Sequence, residues 1–197
     1  MSFYSGGADQ AGTLASYPCT AAEHGYRGLA PDDVRLRPLR EIFDGYLSRA
    51  PLAYALFRAA ECRWLARVPL RRPVLDLGCG NGIFADVATY EPLDIGIDLA
   101  FAPLKAAAAA IVRHRALVQA DACRMPLADN SVETVLAVSV CEHWAAPQRS
   151  LAEVSRVLRP GGRFIATIVL PGLRDSLLYA SLLRGIGLRS LGIRYAR

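Results

Sequence analysis

The stretch PVLDLGCGNGIF, residues 73–84, joins a short apolar segment to a loop in which every second residue is glycine. Val74–Leu77 has the length and apolar character of a buried β-strand. Gly78, Gly80 and Gly82 follow it directly. Glycine adopts positive φ without strain and lets a ligand approach the backbone closely. We therefore expect a strand, a ligand-binding loop and a helix here, in that order.

The same alternation continues along the chain and indicates an α/β fold. Short apolar runs alternate with segments of helical periodicity, which is typical of a parallel sheet with helices on both faces. Residues 159–162 (RPGG) are expected to form a turn. The predicted strands are residues 74–77, 93–99, 116–121, 132–140 and 163–170, and the predicted helices between them are residues 83–89, 103–115 and 150–158.

The two ends of the chain lack this alternation. We expect a division into an N-terminal extension with lid helices (residues 1–70), a core (71–170) and an amphipathic tail (171–197). Residues up to about 33 are expected to be loose, while 42–68 has helical spacing interrupted by Pro51, which predicts two helices. The tail mixes leucines with arginines and is broken by Gly185 and Gly187. This composition fits a helix that covers the sheet better than it fits a helix that lies on a membrane surface.

Composition excludes several classes of protein. The chain has 197 residues, 53% of them hydrophobic, which supports a folded core. Its net charge of +5 comes almost wholly from arginine, since Lys105 is its only lysine, and no dense basic run of the nucleic-acid-binding type occurs. No apolar run is long enough to cross a membrane. The five cysteines (Cys19, Cys62, Cys79, Cys123 and Cys141) form no CxxC pair, which predicts reduced thiols and a cytoplasmic location.

Two classes of ligand use a glycine-rich loop after the first strand of such a sheet. Dinucleotides prefer GxGxxG, with the pyrophosphate at the start of the helix. Here the spacing is GxGxG, and Ile83 occupies the place of the last glycine. Asp76 lies just upstream, where its charge would repel a pyrophosphate and suit a ligand with a cationic group. This pattern disfavours a nicotinamide-dependent oxidoreductase.

The sequence resembles the class I S-adenosylmethionine-dependent methyltransferases, particularly the small-molecule "type 11" group that includes quinone-biosynthesis enzymes. VLDLGCGNG resembles their first motif. The resemblance continues through GIDLA (residues 96–100), residues 119–143 and residues 151–167, in order and at the expected separations. It implies a Rossmann-like, doubly wound, mainly parallel sheet of strand order 3-2-1-4-5, counting these five strands along the chain.

The resemblance also implies which residues hold S-adenosyl-L-methionine. The backbone from Gly78 through Cys79 to Gly80 would hold the methionine part, with Asp76 near its ammonium group. The remaining predicted contacts are Gly82 in the same loop, Asp98 with the ribose hydroxyls, Leu99 on the adenine face, Asp121 with the adenine amine, Ala122 with a ring nitrogen through its N–H, and Ser139.

The methyl acceptor would lie just beyond the fourth strand, in the segment SVCEHW. His143 and Glu142 are the candidate catalytic residues, and an orienting or capping role for His143 is an equal alternative. Some quinone O-methyltransferases carry a metal-linked Glu-x-x-Glu-His pattern in the corresponding segment. In this chain the first position of that pattern is Ser139, so no metal is expected. Arg58 and Glu61, on a helix that covers the cofactor in relatives, are expected to be solvated.

Two readings of the function remain open. The first is an enzyme that methylates a small molecule, with an apolar or lipid-like acceptor permitted by the tail. The second is a truncated or non-catalytic S-adenosylmethionine-binding module without a complete acceptor pocket. Related folds end in a helix and an antiparallel strand pair, whereas only residues 171–197 follow the fifth predicted strand. We therefore expect the strand pair to be missing or incomplete, and an open edge would favour a homo-oligomer. No nucleic-acid partner is expected.

Overall fold

The computed structural model describes residues 3–4, 33–109 and 113–169. Two helices precede the main alternation of strands and helices, and a short 3₁₀ turn, Cys141–His143, follows the fifth strand. The strands are β1 (Phe3–Tyr4), β2 (Val74–Leu77), β3 (Leu93–Asp98), β4 (His114–Gln119), β5 (Val132–Val138) and β6 (Leu158–Thr167). The helices are α1 (Leu39–Leu47), α2 (Leu52–Leu65), α3 (Ile83–Ala88), α4 (Phe101–Ala109) and α5 (Pro147–Val157).

The strands form one sheet of order β1-β4-β3-β2-β5-β6. All pairings from β4 to β6 are parallel, and counted among these five strands their order is 3-2-1-4-5, which confirms the predicted doubly wound fold. The two-residue β1 adds an antiparallel partner at the β4 edge, which the sequence did not indicate. Parallel strands bring their carboxyl ends to the same edge of the sheet, so the loops after β2, β3 and β4 lie side by side.

Alternate residues of each strand enter different cores. Val74 packs with α1, α2 and α3 on one face of the sheet. Leu75 and Leu77 pack with α5 on the other face. Since side chains alternate along a strand, Asp76 shares the face of Val74.

At the amino ends of the strands, Asp94 joins three neighbouring segments. Its carboxylate accepts hydrogen bonds from the backbone N–H of Val74 at 2.7 Å and from the Arg72 guanidinium at 2.8 Å. The Arg115 guanidinium lies 3.2 Å from the same carboxylate. The amino ends of β2, β3 and β4 are therefore tied by one half-buried acidic group.

Some element boundaries differ from the sequence-based expectation. The prediction of a helix over 103–115 was wrong at its end, because α4 is described only to Ala109 and His114 already begins β4. An alanine-rich run has high helical propensity, but pairing with β3 determines the conformation of His114 and Arg115. The RPGG turn exists, but as a bulge within β6, where the register shifts between Val132 and Thr134 of β5.

The N-terminal helices are confirmed, with Pro51 immediately before α2. The expectations for residues 5–32 and for the tail, 171–197, fall outside the described residues. The division of the chain into extension, core and tail stays a prediction.

Candidate functional site

A cavity of about 470 Å³ lies where the loops after β2, β3 and β4 meet the segment after β5. This volume is within the range of about 300–1,000 Å³ that is usual for small-molecule sites. Six of the residues singled out in the sequence line it: Gly78, Asp98, Leu99, Asp121, Ala122 and His143. Residues far apart in the chain thus converge because the strands are parallel and adjacent.

Asp98 ends β3 and links two loops of the cavity. Its Oδ2 accepts a hydrogen bond from the Gly80 N–H at 2.8 Å, and its Oδ1 accepts one from the Ala100 N–H at 2.8 Å. A carboxylate offers about four acceptor positions, so capacity remains for two further donors. The bond to Gly80 fixes the glycine loop of β2 against the end of β3.

The other cavity carboxylate, Asp121, follows β4. Its Oδ1 accepts the Cys123 N–H at 2.8 Å, which closes a local turn and holds the side chain in place. Asp121 is exposed, whereas Ala122 is half-buried beside it. Leu99 has 66% of its surface exposed in this cavity, which is unusual for a leucine and leaves an apolar face available for a ligand.

Gly78 begins the loop and its conformation admits no side chain. Its φ is +79°, and a Cβ there would come within 2.3 Å of Val140. Its backbone N–H donates to the Ile97 carbonyl at 2.7 Å. The loop therefore packs tightly against the segment after β5. By contrast, a Cβ on Gly80 would meet no atom within 4 Å, so this glycine borders open space.

Asp76 lies apart from the cavity, although it precedes Gly78 by only two residues. It is buried, and its Oδ2 accepts a hydrogen bond from His114 Nε2 at 2.9 Å. His114, also buried, reaches it across β3 at Gly96, where a Cβ would lie 2.9 Å from the histidine ring. The predicted contact of Asp76 with an ammonium group stays a prediction, and the structure gives the carboxylate a different partner.

Cys79 and Gly82 also lie away from the cavity. The Cys79 side chain packs with Leu104 and Leu117 beneath α4. Burial raises the pKa of its thiol far above the usual range, and the nearby charges of Asp76 and Asp98 act in the same direction. Such a thiol is unreactive.

Gly82 borders a separate cleft of about 350 Å³ on the α3 and α4 side, next to His114. Asp86 in this cleft bonds to both Arg49 and Arg113. The two arginines lower the pKa of Asp86, against the opposing effect of its partial burial.

The two candidate catalytic residues differ in position. His143 is exposed and lines the cavity at the end of the 3₁₀ turn. Glu142 does not line it: its Oε1 accepts the Val169 N–H at 3.3 Å, and its Oε2 is buried without a hydrogen-bond partner among the described residues. Only His143 is therefore placed to face a molecule in this cavity.

The expectation that Arg58 and Glu61 are solvated was wrong. Glu61 is 8% exposed, and its Oε2 accepts a hydrogen bond from Arg58 at 2.7 Å. Ser139, just after β5, donates to Glu61 Oε1 at 2.8 Å and accepts from Arg58 at 3.2 Å. Although burial acts to lower the pKa of the Arg58 guanidinium, Glu61 and neighbouring tyrosines raise it above its usual value. The correction follows from tertiary packing: α2 turns this pair inward against Ser139.

Sequence reasoning missed several residues that line the cavity. Trp144 forms part of its wall and stacks on Phe164 with ring centroids 6.4 Å apart. Arg149, at the start of α5, supplies a cationic side chain to the same wall. Cys123 adds a half-buried thiol 3.4 Å from the Ser150 hydroxyl. An aromatic residue directly after His143 was the available clue for Trp144.

Two absences hold for residues 3–4, 33–109 and 113–169. Within these ranges no group of three or more His, Cys, Asp or Glu side chains is arranged to hold a metal ion. Within the same ranges no helix is both long and apolar enough to span a bilayer.

The chemistry of the cavity fits an adenosine group. Asp98 has free acceptor capacity for a vicinal diol. Leu99, Ala122 and Trp144 supply apolar surface for a flat heterocycle, and Asp121 supplies an acceptor beside it. The donors and acceptors present therefore match the nucleoside part of S-adenosylmethionine.

Comparisons of sequence relate part of the chain to a known family and to known proteins. The family model described as "Methyltransferase domain" matches residues 75–166. A protein of Mycobacterium tuberculosis described as an uncharacterized methyltransferase is 43% identical over 101 residues, which is 51% of this chain and 40% of the relative. A chloroplastic one of Arabidopsis thaliana is 33% identical over 105 residues, covering 48% of this chain and 30% of the relative. The chain thus spans about two fifths or less of the length of these curated relatives.

Solved structures agree on the fold. A methyltransferase dependent on S-adenosylmethionine from Thermotoga maritima aligns with a TM-score of 0.52 at 22% identity, covering 65% of this chain and 59% of that one. A protein of Pyrococcus horikoshii aligns with a TM-score of 0.50 at 22% identity, covering 71% and 67%. With the matched motifs, these findings support one conclusion: residues 75–166 are similar to the methyltransferase domain of the type 11 group of class I S-adenosylmethionine-dependent methyltransferases.

Proposed function

We propose that this chain binds S-adenosyl-L-methionine in the 470 Å³ cavity and transfers its methyl group to a small-molecule acceptor. The observation that carries the proposal is the convergence of Asp98, Leu99, Asp121 and Ala122 in one cavity from two neighbouring loops. Gly78 forms the adjoining wall, at the start of the glycine loop of the first family motif. The match of residues 75–166 to a methyltransferase domain supports the choice of cofactor over a dinucleotide.

Each residue has a role that its position supports. Asp98 accepts hydrogen bonds from the ribose hydroxyls with the acceptor capacity that Gly80 and Ala100 leave free. Leu99 packs on the adenine, whose exocyclic amine donates to Asp121 while the Ala122 N–H donates to a ring nitrogen. Gly80 borders open space beside Asp98, where the methionine part passes.

Three of the residues predicted from the motif have other partners. Asp76 bonds to His114, the Cys79 side chain packs beneath α4, and Ser139 bonds to Glu61. Glu142 bonds to the Val169 backbone, and Gly82 borders the separate cleft. These partners give the five residues supporting positions behind the cavity, and the cofactor contacts and the catalytic role predicted for them stay predictions.

When bound, S-adenosylmethionine supplies an activated methyl group on a sulfonium, and the transfer is an in-line displacement. The protein contributes mainly by aligning the acceptor and excluding water. His143 is exposed on the cavity wall. Where the nucleophile of the methyl acceptor is a weakly acidic hydroxyl, His143 takes up the proton of that hydroxyl. Trp144 and Arg149 line the same wall, which suits an acceptor with an apolar body and a polar or anionic group.

Calorimetry with S-adenosylhomocysteine tests cofactor binding. The wild-type chain is expected to bind it and to show no binding of NAD. Asp98→Asn should weaken the affinity by about 10- to 100-fold, since hydrogen bonds to a charged acceptor are worth about 1.5–3 kcal/mol. Asp44→Asn is the matched control, because this carboxylate on α1 is 62% exposed and remote from the cavity. Equal affinity in both variants would contradict the assignment of this cavity.

Turnover separates catalysis from binding alone. A screen of phenols, quinols and carboxylic acids with labelled cofactor should give methylated product, and His143→Ala should slow the transfer to hydroxyl acceptors. Tight binding of S-adenosylhomocysteine with no product from any acceptor would favour the alternative, a non-catalytic binding module. The homo-oligomer and the cytoplasmic location remain predictions of the sequence.

A further inference from the structure

The outward face of α2 presents an apolar stripe that nothing in the described structure covers. Leu52 is 56% exposed, Leu56 is 54% exposed and Trp64 is 66% exposed. With Ala60 between them, these residues recur every four positions and therefore lie along one side of the helix. We call this set the α2 stripe.

The opposite side of α2 is apolar as well, and it is fully packed. Ala55, Cys62 and Leu65 are buried in the core against α1 and the sheet. A helix that is apolar on all sides is normally buried on all sides. The α2 stripe therefore has the composition of a contact surface rather than of a solvated helix face.

The exposed charges of α2 and of the residues just after it are of one sign. Glu61 is the only acidic residue in α2, and it is buried against Arg58. Arg63 and Arg67 are exposed on either side of Trp64, and the Arg67 guanidinium lies 4.3 Å from the Trp64 ring centroid. An exposed tryptophan beside arginines and leucines is the composition of helices that lie in the interface of an anionic bilayer.

The neighbouring helix α1 shows that this pattern is specific to α2. Leu39 and Leu47 of α1 are also exposed, at 38% and 43%. Between them, however, α1 carries the exposed acids Glu41 and Asp44 together with Arg40. Mixed charge of this kind suits water, and the acids would be repelled by anionic headgroups.

Charge also discriminates between occupants. A symmetric contact between two copies would bring Arg63 and Arg67 of each copy towards those of the other, which opposes association. The tail, residues 171–197, holds five arginines and one acid, so it too would meet like charge on the α2 stripe. An anionic lipid surface offers an apolar interior to the leucines and a negative headgroup layer to the arginines.

We propose that the α2 stripe docks the protein on anionic membrane surfaces, with Leu52, Leu56 and Trp64 entering the headgroup region and Arg63 and Arg67 contacting lipid phosphates. Lipid binding needs neither cofactor nor acceptor, so its test is independent of the proposed methyl transfer. Contact with a bilayer would also place the protein where apolar acceptors are concentrated.

The test is co-sedimentation of the full chain with vesicles of phosphatidylcholine alone or with phosphatidylglycerol added. Binding is expected only with phosphatidylglycerol, and salt should weaken it. Leu56→Glu combined with Trp64→Glu should reduce binding by about tenfold or more, since charges are poorly accommodated in the interface. Leu151→Glu is the control, because Leu151 is 46% exposed on α5, at the other face of the sheet. Circular dichroism and thermal unfolding establish that each variant is folded.

A fluorescence measurement locates the contact. In a Trp144→Phe background, Trp64 is the only tryptophan, and its emission should move to shorter wavelength when phosphatidylglycerol vesicles are added. Binding that is equal in the wild type and the double glutamate variant would overturn the proposal, as would no binding at all. A mass by light scattering that falls from dimer to monomer in the double variant would assign the α2 stripe to a second copy instead.

Discussion

The two sides of the Gly78 loop use aspartate in opposite ways. On the cavity side, Asp98 bonds only to backbone N–H groups and keeps free acceptor capacity. On the other, sealed side, Asp76 is buried with His114 as its partner. Both carboxylates lie on the same face of the sheet, because Asp76 is paired with Gly96 and Asp98 follows Gly96 by two residues. Asp98 is the last residue of its strand, where the loops open, whereas Asp76 lies inside β2 and is covered. The comparison separates the binding role proposed for Asp98 from a structural role for Asp76, in two neighbouring motifs.

The largest effect is expected at Gly78, which joins the two sides. Gly78→Ala should lower the free energy of unfolding by about 2–5 kcal/mol, because the new Cβ is strained at positive φ and also overlaps Val140. Urea unfolding measures the change. Gly161→Ala is the matched control: its φ is +81° but a Cβ there meets no atom within 4 Å, so about 1–2 kcal/mol is expected. Equal losses in the two variants would mean that contact with Val140 is unimportant.

His114→Ala tests the sealed side. It leaves the buried Asp76 carboxylate without its partner, which should cost about 1–3 kcal/mol of stability. Because His114 does not line the cavity, the affinity for S-adenosylhomocysteine should be unchanged. Stability is read from urea unfolding and affinity from calorimetry on the same preparation. A loss of affinity with no loss of stability would reverse the roles assigned to the two sides.

Asp121→Asn sharpens the description of the cavity side. The proposed bond from the adenine amine to Asp121 should weaken, lowering the affinity for S-adenosylhomocysteine by about three- to tenfold. The asparagine amide can instead donate to a carbonyl, so the variant should discriminate less against the hypoxanthine analogue of this ligand. Parallel titrations of both ligands give the ratio. An unchanged preference between the two would place the adenine amine away from Asp121.

The smallest expected effect is a difference in alkylation between two thiols, one on the cavity side of the Gly78 loop and one on the sealed side. Cys123 is half-buried on the cavity wall, whereas Cys79 is buried and its thiol pKa is raised by burial. Iodoacetamide at mildly alkaline pH should therefore label Cys123 before Cys79, and S-adenosylhomocysteine should slow labelling at Cys123 only. Peptide mass spectrometry measures both sites. Labelling of Cys79 in the folded protein would show that the sealed side opens.

Much of this architecture was predictable because local patterns are strong in a parallel sheet. Val74–Leu77 follows from its apolar run and the order of the five strands from the family resemblance, and both agree with the structure. The same resemblance pointed to the cavity residues Asp98 and Asp121, which lie at strand ends, where ligands bind in such sheets. The partner of Asp76 could not be found in this way, since His114 lies 38 residues away and reaches Asp76 only because Gly96 leaves space.

The inward position of Arg58 and Glu61 was equally beyond the sequence. Helical spacing predicted α2 but not its rotation relative to Ser139, which lies about eighty residues away. A charged pair on a helix is normally solvated, and only the packed neighbours show that this one is not. Contacts between residues that are distant in the chain determine the rotation of a helix and the burial of a charged pair. A single sequence does not show which distant residues are in contact.

Asp94, at the amino ends of the strands, has a consequence for how such a protein can change. The bonds from Val74, Arg72 and Arg115 to this carboxylate hold β2, β3 and β4 in register from the edge opposite the cavity. Anchoring and recognition are thus separated by the length of a strand. The loops at the carboxyl edge are free to vary for new ligands, by natural divergence or by engineering, while the register of the sheet is preserved from its other end.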